Sequence, residues 1–267
     1  RRREAAVAAL LETDELLVAE VPAARTLVDV AAARPLMPNL RRPDFACRFD
    51  ERRIHARGLR VFGEVDDLHR GSDPQAFVGG NTAVFIQTSG VTIVDSKVPG
   101  WGQPLIEKIK ELTDKPVRTL INTHTHFDHT GGNPDFPATV EVVTHENTAR
   151  YMKENNPVTG LTIEVPDVFK NAGGRGLPRR TFKDRMTLGS GNDRVELRYF
   201  GRAHTGGDTF VLFPAVRAMH TGDGFPNKGV PIIDANNGGS GVAYAHTGAQ
   251  AAALKNIIAL AAGVVEG

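Results

Sequence analysis

Apolar residues fall into two patterns along this chain, short runs of four to six and one clear helical periodicity, and the two alternate from residue 58 onward. Leu59 to Val65 alternates apolar and polar positions as a half-buried strand does. Thr82 to Gln87 and Val91 to Asp95 flank Ser89-Gly90 and predict a β-hairpin. Val84–Ile86 and Val91–Val94 are nearly continuous apolar, which predicts strands covered on both faces. Trp101, Leu105, Ile106, Ile109 and Leu112 then recur at helical spacing, with Glu107, Lys108, Lys110 and Glu111 on the opposite side. Gly100 and Pro104 suit the first turn of that helix.

Pro116 to Asn122 predicts the next strand, so strand, helix and strand follow in the order of an α/β layer. Val140 to Val143 is another strand candidate, and Thr144 is placed to cap a helix running through Lys153. His145, at the start of that helix, reads as a surface or capping residue. From Asn155 to Arg180 the pattern loosens into turn-rich sequence, including Gly173-Gly174-Arg175-Gly176, and predicts a mobile loop able to overhang a site as a lid. The glycines there lack the Lys-Ser/Thr of a phosphate-cradling loop. Val195 to Phe200, Thr209 to Phe213 and Val216 to Met219 predict further strands, and Gln250 to Ala262 a closing helix. Ahead of all this, Glu4 to Leu36 is Ala- and Leu-rich, helical in its first part and broken by Pro22, Pro35, Pro38 and Pro43. Residues 1–55 are therefore expected to be a helical extension, and residues 56–267 the main domain.

The chemistry is concentrated between the predicted 116–122 strand and Gly131-Gly132. His124, His126, Asp128 and His129 lie within six residues there. Three of the chain's nine histidines are in this stretch. Side chains two apart on extended backbone point the same way, so His124 and His126 can converge on one ion. Asp128 and His129 come half a turn later and would face a neighbouring point, so two ions can share the site. Imidazole and carboxylate without thiolate suit zinc, and iron, manganese and cobalt are compatible.

That stretch resembles the His-x-His-x-Asp-His signature of the metallo-β-lactamase-fold hydrolases. The likeness runs from about Val61 to about Gly241. Gly201 to Asp208, with His204, resembles the family's third-histidine loop, and Met219 to Asp223 its bridging-aspartate loop. The resemblance implies an αββα sandwich of two mixed β-sheets flanked by helices, here with an N-terminal extension. It implies that His124, His126 and His204 hold a first ion, Asp128 and His129 a second, and Asp223 bridges them. It also gives Asp95 a supporting role behind the metal loop. Two dications would lower the pKa of a shared water toward neutrality and polarise a carbonyl or phosphoryl oxygen, with Asp128 orienting the nucleophile and passing on its proton.

The family's final histidine loop has no match. The chain ends at Val264 to Gly267, where the strand leading to that loop is expected to begin, so the second ion site is expected to be weaker than the first. His246 is the nearest substitute and reads as a surface residue. Metallo-β-lactamases proper carry Cys or Ser where Asp223 stands, which disfavours a dedicated β-lactamase. Phe225 stands near the place where the lactonase branch often has Tyr, leaving Asn227 and Lys228 as candidate substrate contacts.

The expected activity is zinc-dependent hydrolysis of a small ester, lactone, thioester or amide, with weak β-lactamase activity allowed. An iron-dependent oxidoreductase of the same fold and a non-catalytic metal-stabilised binding protein are the alternatives. With 32 Lys+Arg against 31 Asp+Glu, nothing in the overall charge attracts nucleic acid or an anionic membrane, and a small-molecule substrate is expected. Cys47 is the single cysteine, so no intramolecular disulfide forms. The first residue is Arg, so removal of a leader is compatible with the sequence, and both a cytoplasmic and a secreted location stay open, as does the oligomeric state.

Overall fold

The structure is a computed structural model that describes residues 18–19, 58–62, 79–162, 165–225, 231–252 and 258–260. The expected helix at the start of the extension, Cys47, and the candidate contacts Asn227 and Lys228 lie outside the described residues.

Among the described residues, twelve strands form two six-stranded sheets. In chain order they are β1 (Val18–Ala19), β2 (Leu59–Phe62), β3 (Thr82–Ile86), β4 (Val91–Val94), β5 (Val117–Ile121), β6 (Glu141–His145), β7 (Arg180–Phe182), β8 (Arg185–Leu188), β9 (Val195–Arg198), β10 (Phe210–Phe213), β11 (Ala218–His220) and β12 (Ile258–Leu260). The helices are α1 (Gly102–Leu112), α2 (Phe127–Thr130), α3 (Glu146–Glu154), α4 (Val168–Asn171) and α5 (Gly241–Ala252). One sheet has the order β2-β3-β4-β5-β6-β7 and the other β1-β12-β11-β10-β9-β8. Both are mixed. β2 to β4 pair antiparallel and β4 to β7 parallel, while β8 to β11 pair antiparallel and β12 lies parallel to β11 and β1.

Side-chain alternation decides the layers. Phe85, Val94, Ile121 and Val143 of the first sheet pack against Val195, Leu197, Val211 and Phe213 of the second. Their sequence neighbours Val84, Ile93, Leu120 and Val142 point the other way, onto Leu105 and Ile109 of α1. On the far side Phe210, Leu212 and Met219 meet Ala251 of α5. Successive residues of a strand face opposite sides, so these apolar runs put one side chain in the sheet–sheet core and the next under a helix. The expected four-layer αββα sandwich is the observed architecture.

Three local expectations need correction. Thr144 is the fourth residue of β6 and does not cap α3, because its hydroxyl donates to Asn122 O and holds the strand end against the metal loop. The cap is His145, whose Nδ1 accepts Asn147 N–H. The closing helix spans Gly241–Ala252 instead of Gln250 to Ala262, and a strand, Ile258–Leu260, follows it. Gly241, Ala243, Ala245, Gly248 and Ala249 carry too little apolar contrast to mark a helix face, so its start is hidden in the pattern. The loop from Asn155 to Arg180 contains α4, capped by Asp167, and is tied to the domain where Asn133 Nδ2 donates to Gly176 O. No helix among the described residues is long and apolar enough to cross a membrane.

Candidate metal centre

β4, β5 and β6 run parallel, so their C-terminal ends meet at one edge of the sheet. β4 delivers Asp95 there, β5 delivers His124 to His129, and the second sheet adds His204 after β9 and Asp223 after β11. His124, His126, His204 and Asp223 offer donor atoms within 4.8 Å of one another, as do Asp128, His129 and Asp223. Asp223 belongs to both groups: its Oδ2 is 3.5 Å from His204 Nε2 and 3.9 Å from His124 Nε2, and its Oδ1 is 3.2 Å from His129 Nε2. All are buried except Asp128, whose side chain is 18% exposed.

Each imidazole is held from behind by an acceptor, and this decides which nitrogen is left for an ion. His129 Nδ1 lies 2.7 Å from Asp95 Oδ2. His126 Nε2 lies 2.7 Å from Asp234 Oδ2. His204 Nδ1 lies 2.6 Å from Ile232 O. Thr123 Oγ1 donates to Asp95 Oδ2 at 2.7 Å, so it can only accept from His124 Nδ1, 3.0 Å away. In His124, His126 and His204 this places the proton on the outer nitrogen and leaves the inner nitrogen with a lone pair, while the inner Nε2 of His129 faces Asp128 Oδ2 at 3.4 Å and Asp223 Oδ1 at 3.2 Å. His126 Nδ1 and His204 Nε2 thus face each other at 3.0 Å with no proton between them. His124 Nε2, His129 Nε2 and Asp223 Oδ1 are buried with no hydrogen-bond partner. Acceptor atoms converging on one buried point are costly unless a cation sits among them, so the side chains fit a metal ion.

The electrostatics agree. Burial, reinforced by His129, His126 and His204, pushes the His124 pKa well below its ordinary value, and burial with His126 lowers His204. Both are therefore neutral donors. Burial works to raise Asp128, but the facing His129 ring outweighs it and holds the carboxyl down to about 2. Asp223 is lowered in the same way by His129 and His204 against its burial. His129 differs from the other rings: burial works to lower its pKa, but Asp128, Asp223 and Asp95 outweigh it and raise it well above the ordinary value, so this pocket of carboxylates favours a positive charge at its centre.

The backbone makes room for this crowding. Asp95 has φ of 63°, a left-handed conformation uncommon for a non-glycine residue, and its two oxygens take Thr123 N–H, Thr123 Oγ1–H and His129 Nδ1–H. A Cβ on Gly80 would collide with the His129 ring. Buried Lys97 donates from Nζ to Gly80 O at 2.6 Å and so holds that strand of chain against the ring. Tyr244 Oη donates to Gly224 O and braces the turn carrying Asp223, with its pKa pushed up to about 12 by burial and by Asp208 and Asp223.

Every motif residue named from the sequence converges here except the two contacts outside the described residues. Asp95 stands behind the rings, in contact with His129 and Thr123. Phe225 packs edge-on against Phe210. His246 is exposed on α5 and pairs with Gln250. His145 does cap α3, but it is buried, stacked on Tyr199 at 3.9 Å. Sequence reading missed Asp234 and the Ile232 carbonyl, which lie in a turn-rich stretch with no metal-donor spacing to mark them.

Residues 76–265 match the family model described as the metallo-beta-lactamase superfamily. The 2,4-dinitroanisole O-demethylase subunit alpha of a Nocardioides species is 32% identical over 110 residues, which make up 41% of this chain and 29% of that protein. The match thus spans less than a third of that relative's length. Among solved structures, the metallo-β-lactamase FIM-1 from Pseudomonas aeruginosa, in its mono-zinc form, aligns with a TM-score of 0.56 at 15% identity, covering 78% of this chain and 84% of that one. DIM-1 metallo-β-lactamase aligns with a TM-score of 0.53 at 17% identity, covering 77% of this chain and 87% of that one. At such identities the structural likeness speaks for the fold. With the family model covering most of the chain and the same two-sheet architecture recurring in those structures, the chain belongs to the metallo-β-lactamase superfamily.

Proposed function

We propose that the chain is a metal-dependent hydrolase in which His124, His126 and His204 hold one ion, Asp128 and His129 hold another, and Asp223 serves both. The observation that carries this reading is the inward convergence of four imidazole nitrogens, each ring held by an acceptor behind it, on Asp223. The nitrogen and oxygen donor set favours zinc, with manganese and iron compatible. When bound, such ions supply a water of lowered pKa and a Lewis acid for the substrate's carbonyl oxygen.

The chain's own residues do the rest. Asp128 is the least buried carboxylate of the cluster, and a pKa of about 2 keeps it anionic at neutral pH. As an anion it would orient the attacking water by accepting its hydrogen bond and pass the water's proton to the leaving group. Asp95 and Asp234 keep the rings of His129 and His126 from rotating. No side-chain nucleophile is needed. The expected substrates are small esters, lactones, thioesters or amides.

A second reading is cleavage of an activated aryl ether, favoured by the 110-residue match to the Nocardioides O-demethylase subunit. One panel tests both: 4-nitrophenyl acetate, a γ-lactone, a thioester, nitrocefin and 2,4-dinitroanisole, with metal content measured on the purified chain. Metal-dependent turnover of an acyl substrate, lost on chelation and reduced at least a hundredfold in Asp128→Ala, is the expected result. Methanol released from 2,4-dinitroanisole would mark hydrolysis of the ether, and formaldehyde an oxidative, iron-type reaction. Absence of any metal-dependent turnover would leave a binding role.

A further inference from the structure

One fully buried imidazole beside the metal centre belongs to neither donor group. Along β11, Ala218 faces the sheet–sheet core and Met219 faces α5, so alternation turns His220 back into the core, where an apolar side chain would be the ordinary occupant. Both of its ring nitrogens are engaged. Gly222 N–H donates to Nδ1 at 3.2 Å, which leaves the ring proton on Nε2, and Nε2–H donates to Asn81 O at 3.2 Å. Burial lowers its pKa, so the ring is neutral and serves as one donor and one acceptor.

Each partner leads to donors of the group formed by Asp128, His129 and Asp223. Gly222, with φ of 51°, directly precedes Asp223, so a hydrogen bond to its N–H fixes the turn that aims the shared carboxylate. Asn81 closes the buried segment 79–81, whose two glycines press against the other two donors. A Cβ on Gly79 would collide with the Asp128 carbonyl, and one on Gly80 with the His129 ring. The neighbouring carbonyls of that segment are held from opposite sheets, Gly80 O by Lys97 Nζ after β4 and Asn81 O by His220 Nε2 on β11.

We propose that His220 is a positioning residue for the second ion: it ties the turn of Asp223, on one sheet, to the backbone packed on Asp128 and His129, on the other, and so sets the span between the three donors. This role rests on the two-ion reading above and extends it to a residue that touches no ion. The first ion is less exposed to the loss of His220. Its three imidazoles are held by Thr123, Asp234 and the Ile232 carbonyl, and only Asp223 connects that group to His220. The second group has one imidazole and two carboxylates, and all three lie on chain that His220 links.

Competition with a chromophoric zinc chelator reads the two classes of ion separately. His220→Leu removes both hydrogen bonds and should weaken the weaker class by about 10- to 100-fold, the usual cost of losing an outer partner, while the tighter class stays within about threefold of the parent. His220→Gln, whose longer amide reaches Asn81 O, should restore most of that loss. His220→Asn can serve Gly222 N–H but stops short of Asn81 O, and should not; this pair decides the matter if the leucine variant does not fold. A residue that only filled the core would lower both classes together or move Tm alone, and would not distinguish Gln from Asn. Stepwise cobalt loading gives a second readout: the visible bands of the second equivalent should be lost in His220→Leu and His220→Asn and kept in His220→Gln. In the metal-free chain, the long-range 15N–1H spectrum of the histidine rings should place the His220 proton on Nε2, the signal being assigned by its absence from His220→Gln. An unchanged weaker class in His220→Leu, a parent that binds a single zinc, or a ring proton on Nδ1 overturns the proposal and leaves metal-dependent hydrolysis to its own turnover test. Two zinc classes that respond as expected in a chain that turns over no substrate support the role of His220 and remove the hydrolase reading instead.

Discussion

Asp234→Asn changes one oxygen to an amide nitrogen in a side chain whose hydrogen-bond partners among the described residues are all donors. Oδ2 accepts His126 Nε2–H at 2.7 Å and Asn237 Nδ2–H at 2.6 Å. Oδ1 accepts Thr159 N–H at 3.0 Å, the Thr159 hydroxyl at 2.9 Å and Asn237 N–H at 3.3 Å. Whichever way the asparagine turns, its NH2 faces at least two donors. Losing two hydrogen bonds to a charged acceptor, at about 1.5 kcal/mol each on the low side, predicts a loss of about 3 kcal/mol. For a domain of this size that lowers Tm by about 6 to 12 °C. His126 is then free to put a proton on the nitrogen that faces His204, so zinc affinity should fall by about 10- to 100-fold. Thermal denaturation in the presence of a chelator reads the first effect, and competition with a chromophoric zinc chelator reads the second. Thr159→Val separates them, because it removes one hydroxyl donor and should cost about 1 kcal/mol while leaving zinc affinity within a fewfold of the parent. A Tm within 2 °C of the parent, or an unchanged zinc affinity in Asp234→Asn, would refute the argument that the outer carboxylate sets the tautomer.

Zinc titration of the chain should show two unequal classes, the tighter at the four-donor group and the weaker at Asp128, His129 and Asp223; two equally tight sites would contradict this. Gly80→Ala forces a methyl into the His129 ring, which is fully buried and has nowhere to go, so the weaker class should be lost with about 1 to 3 kcal/mol of stability while the tighter class persists. Burial lowers the His145 pKa below its usual 6.5, so the folded ring is neutral while the unfolded one takes a proton as pH falls. Its contribution is therefore complete above about pH 6.5 and declines below it. Urea denaturation of His145→Gln should show a shallower loss of stability between pH 6.5 and 5 than the parent, and parallel profiles would rule the titration out.

What was legible in the chain follows local rules. Continuous apolar runs at Val84–Ile86 and Val91–Val94 announced strands covered on both faces, and α1 was readable because its apolar and charged sides differ sharply. α5 was misplaced because a helix of Ala and Gly buries little side-chain contrast. Its position is decided by Ala251 meeting Phe210 and Met219, contacts that no window of sequence contains. Thr144 looked like a cap because Thr is a good one, yet the partner it found was a carbonyl 22 residues back in the chain.

The same division runs through the metal centre. His124, His126, Asp128 and His129 sit within six residues, and their donor chemistry depends only on residue type and spacing, so the chain announces that an ion belongs there. The choice of nitrogen in each ring is another matter. It depends on acceptors brought from afar, Asp95 from 34 residues before His129 and Asp234 from 108 residues after His126. A proton on an imidazole goes where a lone pair waits within hydrogen-bonding distance, and only the folded chain puts those lone pairs on the outer side of every ring.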